Sequence, residues 1–144
     1  MAYQGYLIKA GGSSGTIVPT KLMQPSAYKA TPDQRMESKA SRDATGYLNR
    51  TTVSNVATKI EFETTYITNR ELTGLMAIFR ANFTDALQRK ITINYYDPET
   101  DSYRDAVCYM PDVDYTIYNV DNEKNIITYE PVRFAFIEYG HAFS

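Results

Sequence analysis

From Ala57 to Ile67 the side chains alternate, with Ile60, Phe62, Thr64 and Tyr66 on one side and Lys59, Glu61, Glu63 and Thr65 on the other. A period of two marks a β-strand with one face in a core and the other in water or against a partner. The same alternation returns in Lys90–Tyr96, where Ile91, Ile93 and Tyr95 share a face, then in Tyr103–Met110, Val113–Val120 and Ile126–Tyr139. Asp97-Pro98-Glu99-Thr100-Asp101 and Asp121-Asn122-Glu123-Lys124-Asn125 separate these runs. They read as turns, because proline fixes φ and aspartate bonds its own backbone. Pro131 cannot donate to a ladder, so it predicts an edge position or a bulge in the final strand. Tyr3–Lys9 and Tyr47–Val53 are shorter candidates.

One segment follows a different period. Thr68-Asn69-Arg70-Glu71 fits a capping box, and Leu72, Leu75, Met76, Phe79, Phe83 and Ala86 then recur at helical spacing. This predicts a core-packing helix over about residues 69–86. The element order predicts an α+β fold: an antiparallel β-sandwich or barrel with one packed helix and a long early loop, in a single domain over residues 1–144. The 13 tyrosines and absence of tryptophan agree, since tyrosine suits half-buried strands and interfaces.

That early loop is Lys29–Gly46. It carries both signs of charge and almost no large apolar residue after Tyr28, so alone it cannot offset its ordering entropy. Either it is a disordered surface loop, or a neighbouring subunit orders it. Lys39, Arg42 and Arg50 form a mild basic group with Glu37 and Asp43 interspersed. That mixture suits ion pairing between proteins better than tracking of phosphates.

Residues suited to catalysis are scarce. His141 is the sole histidine and lies past the last strand, where an inert place in a flexible tail is expected. Cys108, the sole cysteine, sits in an alternating apolar stretch and reads as a small core residue. One histidine and one cysteine far apart make a poor metal set. Asp97-x-Glu99-x-Asp101 lacks the glycine and the bidentate glutamate of a calcium loop, and both it and Asp112/Asp114 read as solvated turns. Gly11-Gly12-Ser13-Ser14-Gly15 lacks the Lys-[Ser/Thr] pair of a phosphate loop. No catalytic residue, cofactor or metal is therefore assigned. The net charge of −2 gives no global attraction to nucleic acid. No apolar run approaches the ~20 residues of a membrane span, and no signal peptide is evident. A protein made and kept in a reducing cytoplasm is expected, which makes the sequons at Asn49 and Asn82 chance matches.

The chain resembles a group of small tail proteins of tailed phages and prophages of Gram-positive bacteria. The resemblance runs through Ser41-Arg42-Asp43-Ala44-Thr45-Gly46-Tyr47-Leu48-Asn49-Arg50, Lys59-Ile60-Glu61-Phe62, the helix from Thr68 to Phe83, Ile91–Asp97, Val107–Met110 and Val132–Tyr139. It covers about two thirds of the chain and departs at the glycine-rich start through Gly15. It implies a virion structural protein of the tail-tube-like class: tube, distal tube end or baseplate hub. Such proteins form rings, commonly hexameric, around a DNA channel, beside adjacent tail proteins and without binding DNA specifically. A long loop then reaches a neighbour, which makes Lys29, Arg35, Glu37, Lys39, Arg42, Asp43 and Arg50 candidate intersubunit contacts. Glu61 and Glu63 are candidate lumen residues, because an acidic or mixed lining lets DNA slide. The competing reading is a small soluble binding module or regulator with the 29–46 loop as its interaction site.

Overall fold

The alternating segments pair into one large antiparallel sheet. A computed structural model of the chain describes residues 2–35 and 37–142, with the side chains of residues 37–39 outside that description. In chain order the elements are β1 (Ile8–Ala10), β2 (Thr16–Ile17), β3 (Lys29–Gln34), β4 (Glu37–Arg42), β5 (Leu48–Thr52), β6 (Asn55–Glu63), β7 (Ile67–Thr68), α1 (Asn69–Asn82), β8 (Lys90–Asp97), β9 (Ser102–Tyr109), β10 (Ile117–Asp121), β11 (Ile126–Tyr129), β12 (Arg133–Glu138) and β13 (His141–Ala142). The fold is α+β, mostly antiparallel β with one α-helix.

The main sheet has eight strands. β6 pairs with β12, β12 with β9, β9 with β8, β8 with β1 and β1 with β2, while β3 and β13 also pair with β6. The sheet curls until β3 and the residue before it meet β8 and β9 through side chains: Tyr28 Oη donates to the Tyr96 carbonyl at 2.8 Å, and Arg104 on β9 grips Asp33 on β3. A separate three-stranded sheet runs β10-β11-β7, and β4 and β5 form a two-stranded sheet of their own.

Alternation places the core. Val56, Thr58, Ile60, Phe62 and Thr64 are buried, as are Ile91, Ile93, Tyr95 and Asp97 on β8 and Phe134, Phe136 and Glu138 on β12. The helix lays Leu72, Leu75, Met76 and Phe79 on this core, with the Phe79 ring 5.3 Å from that of Phe136. Its N-terminus has the expected capping box: the Thr68 side chain accepts from Glu71 N, and Glu71 Oε1 accepts from Thr68 N. These bonds satisfy two donors that the helix itself leaves unpaired.

Several expected boundaries are corrected. The 29–46 segment is not a loop: it holds β3, which pairs with β6, and β4, which pairs with β5. The helix ends at Asn82 rather than near residue 86, because Phe83 is extended and Asp85 accepts from the amides of Leu87 and Gln88 to build a turn. Leu87 is fully in solvent. Ile126–Tyr139 is two strands, and Pro131 stands where the chain leaves the small sheet for the large one. Val113–Val120 shortens to β10, Tyr3–Lys9 shortens to β1, and Tyr66 points outward rather than into the core.

Candidate assembly surfaces and a buried polar cluster

The β4–β5 hairpin carries most of the proposed contact residues. Its turn is local chemistry: Gly46 N donates to the Asp43 carbonyl at 3.0 Å, with Gly46 at φ +87°. Asp43 accepts from Thr45 Oγ1 at 2.6 Å and from the amides of Thr45 and Tyr47. These bonds, led by that of the Thr45 hydroxyl, hold its carboxyl below the ordinary value. Asp43 is thus engaged in the turn. Register pairs Ala40 with Arg50 and Arg42 with Leu48, so Arg42, Leu48 and Arg50 share one face. All five residues of β5 are exposed, and Tyr47 is 70% exposed. Arg42 donates to the Gly46 carbonyl and Arg35 to that of Asp33. The side chains of Glu37 and Lys39 lie outside the described residues, though their backbones pair in β4.

Glu61 and Glu63 lie on the outer face of β6, as the alternation predicts. They line a cleft of ≈ 380 Å³ with Lys29, Gln24, Ser26 and Arg133. Arg133 sits 3.1 Å and Lys59 3.3 Å from Glu61. Burial opposes ionisation of Glu61, but these two cations outweigh it and hold the carboxyl below its usual range. The face is therefore of mixed charge.

Sequence reading missed a polar cluster on the curled inner side of the main sheet. Arg104 on β9 pairs with Asp33 at 3.0 Å and with Asp97 at 3.2 Å. Asp97 is 1% exposed, so it is a buried carboxylate and not part of a solvated turn. Desolvation opposes ionisation of Asp33, and the hydrogen bonds and charge of Arg104 overcome it, so its carboxyl lies below the ordinary value. The same contact raises the Arg104 pKa. Glu138 Oε1 accepts from Thr58 N at 2.9 Å. His141 is corrected too: it lies in β13, paired with β6, not in a loose tail. Its Nδ1 is 2.9 Å from Glu138 and its Nε2 is 3.1 Å from Asp33, so the ring straps β13 to two other strands. A signal existed for this cluster. Arg104, Asp97 and Glu138 each stand at the inward position of an otherwise apolar row, and a charge there must be paired.

Cys108 is fully buried, and burial, reinforced by the nearby Glu138, pushes its thiol up to about 12. A thiol so held is not a nucleophile at neutral pH. Among the described residues no group of three or more His, Cys, Asp or Glu is placed to hold a metal ion, and no helix is long and apolar enough to cross a membrane.

A second surface also escaped the sequence. β10 is an edge strand, paired only with β11 among the described residues. Ile117, Tyr118 and Val120 on it are all about half exposed or more, beside exposed Tyr66 and Tyr115. Tyr66 and Tyr118 pack edge to face at 4.7 Å. Both faces of β10 are wet, so the alternation in Val113–Val120 marks a strand but no dry face. No curated protein and no solved structure matches the chain. A family model does match residues 1–139, and the chain belongs to that family, DUF6711, a family of unknown function.

Proposed function

We propose that this protein is a structural subunit of a phage tail, forming hexameric rings around the DNA channel as tube, distal tube end or baseplate hub. It works by contact with copies of itself and with adjacent tail proteins, and it performs no catalysis. The observation that carries this reading is the β4–β5 hairpin. A two-stranded hairpin alone is at best marginally stable in water. This one pairs with no third strand among the described residues and turns Tyr47, Leu48 and two arginines outward. Such an arm gains stability when a neighbour covers it. In this reading the polar cluster ties strands together, and the outer face of β6 turns toward the channel. Pairing of Glu61 with Arg133 and Lys59 gives that face a mixed charge, over which a polyanion slides without sticking. The sequence resemblance supplies the virion setting.

The test replaces residues 37–52 by a short glycine-serine linker. β3 is kept, because Asp33 holds Arg104 and His141. Light scattering after size exclusion should find wild-type protein in a multi-subunit assembly and the variant as a folded monomer. A variant that assembles like wild type, or a wild type that stays monomeric at its highest soluble concentration, refutes the reading.

A further inference from the structure

We infer that the hairpin of one copy docks on the β10–β11 arm of the next copy, in a head-to-tail contact held by opposite charge around an apolar centre. The inference rests on the assembly reading above and adds the acceptor surface.

The charge of the chain is unevenly spread. Residues 35–53 carry Arg35, Lys39, Arg42 and Arg50 against Glu37 and Asp43, a net charge of +2. Residues 112–130 carry Asp112, Asp114, Asp121, Glu123 and Glu130 against Lys124, a net charge of −4. The whole chain is only −2, so these two segments form a dipole. Among the described residues no ion pair involves Asp112, Asp114, Glu123 or Glu130. Acidic side chains left unpaired on an exposed arm are available to a basic partner.

Apolar surface coincides with charge on both sides. The hairpin offers Tyr47, Leu48 and Val53, and the arm offers Tyr115, Ile117, Tyr118 and Val120, all exposed. Aromatic side chains amid polar ones are the composition of an interface core and its rim. The unpaired edge of β10 adds backbone groups that need a partner. The two surfaces differ and belong to separate sheets, so a contact between them is heterologous. Repetition of a heterologous contact builds a closed ring or an open helix, not an isologous dimer.

Two charge-reversed variants test this. One carries Arg42→Glu with Arg50→Glu, which takes the hairpin from +2 to −2, and the other Asp114→Lys, Glu123→Lys and Glu130→Lys, which takes the arm from −4 to +2. Each alone should fall from the assembled mass to the monomer mass of 16.4 kDa, because each brings like charges together at every junction. Mixed in equal amounts they should assemble again, since an acidic hairpin then meets a basic arm and a basic hairpin an acidic arm. This rescue also shows that both variants are folded. Rising salt should lower the mass of the wild-type assembly through screening. A mixture that stays monomeric, or an assembly indifferent to salt, overturns the charge-paired contact. If the Asp114/Glu123/Glu130 variant assembles alone while the linker variant does not, the acceptor is wrong and the hairpin reading stands. If the linker variant itself assembles, the hairpin reading falls as well.

Discussion

Replacing Arg104 by alanine probes the buried ion pairs directly. The guanidinium holds two carboxylates, of which the Asp97 side chain is 1% exposed and that of Asp33 17%. Without it, Asp97 is left buried beside no cation. Removing one partner of a wholly buried pair costs about 3–5 kcal/mol. Arg104 is itself 32% exposed, so water already shares its solvation and the lower figure, about 3 kcal/mol, applies. For a chain of this size that is a fall of roughly 6–12 °C in melting temperature at neutral pH. Acid titration adds a sign. The folded-state pKa of Asp33 is depressed. A depressed carboxyl contributes stability above its unfolded pKa of about 3.9 and loses it as pH falls through the folded value. Wild type therefore has that contribution at neutral pH and sheds it below about pH 4, whereas the variant lacks it throughout. The gap between the two melting curves should narrow in acid. Thermal melts followed by circular dichroism across this range measure it. A gap under about 2 °C at neutral pH, or one that widens in acid, refutes the argument.

Phe79 is fully buried against Phe134 and Phe136, so Phe79→Ala should cost about 3–5 kcal/mol in urea unfolding, and a melt unchanged within a degree would put the helix stripe elsewhere. Thr68→Ala removes one half of the capping box and should cost about 1 kcal/mol, with Thr68→Ser restoring most of it. His141→Ala should leave global stability nearly intact but speed amide exchange roughly tenfold at residues 55–58 and 141–142, because the ring straps β13 to Glu138 and Asp33. Exchange unchanged in those peptides would show that the strand is held by its backbone alone.

What the sequence reveals and hides follows from where side chains face. β8, β9 and β6 are legible because each has one dry face, and α1 because its stripe and its capping box agree. β4 is opaque: its sequence is polar, so no alternation of apolar residues marks it and a polar strand looks like a loop, whereas β5 shows in the sequence as the short candidate Tyr47–Val53. β3 hides for another reason. Its inward residue Asp33 is charged, half-buried and paired with Arg104, a partner 71 positions away. The same long-range pairing conceals His141, whose two carboxylate neighbours come together only when the sheet curls. The contact residues proposed on the hairpin were legible as a group by charge, but not their arrangement, which needs the Ala40–Arg50 and Arg42–Leu48 register.

The place of β12 in the main sheet sets an order of events during synthesis. It lies between β6 and β9, pairing with Phe62 and its neighbours on one side and with Tyr109 and Cys108 on the other. Both strands leave the ribosome before it does. Until β12 emerges, the nascent chain holds two sheet fragments with unpaired edges, the kind of surface on which other chains nucleate aggregates. Neither fragment can join the other by a short hairpin, so the joining step carries the loop-closure cost of non-local pairing and is slow. A truncation before Arg133 should thus give not a shorter domain but two sticky halves. The hairpin β4–β5, with local pairing only, is free to form at once.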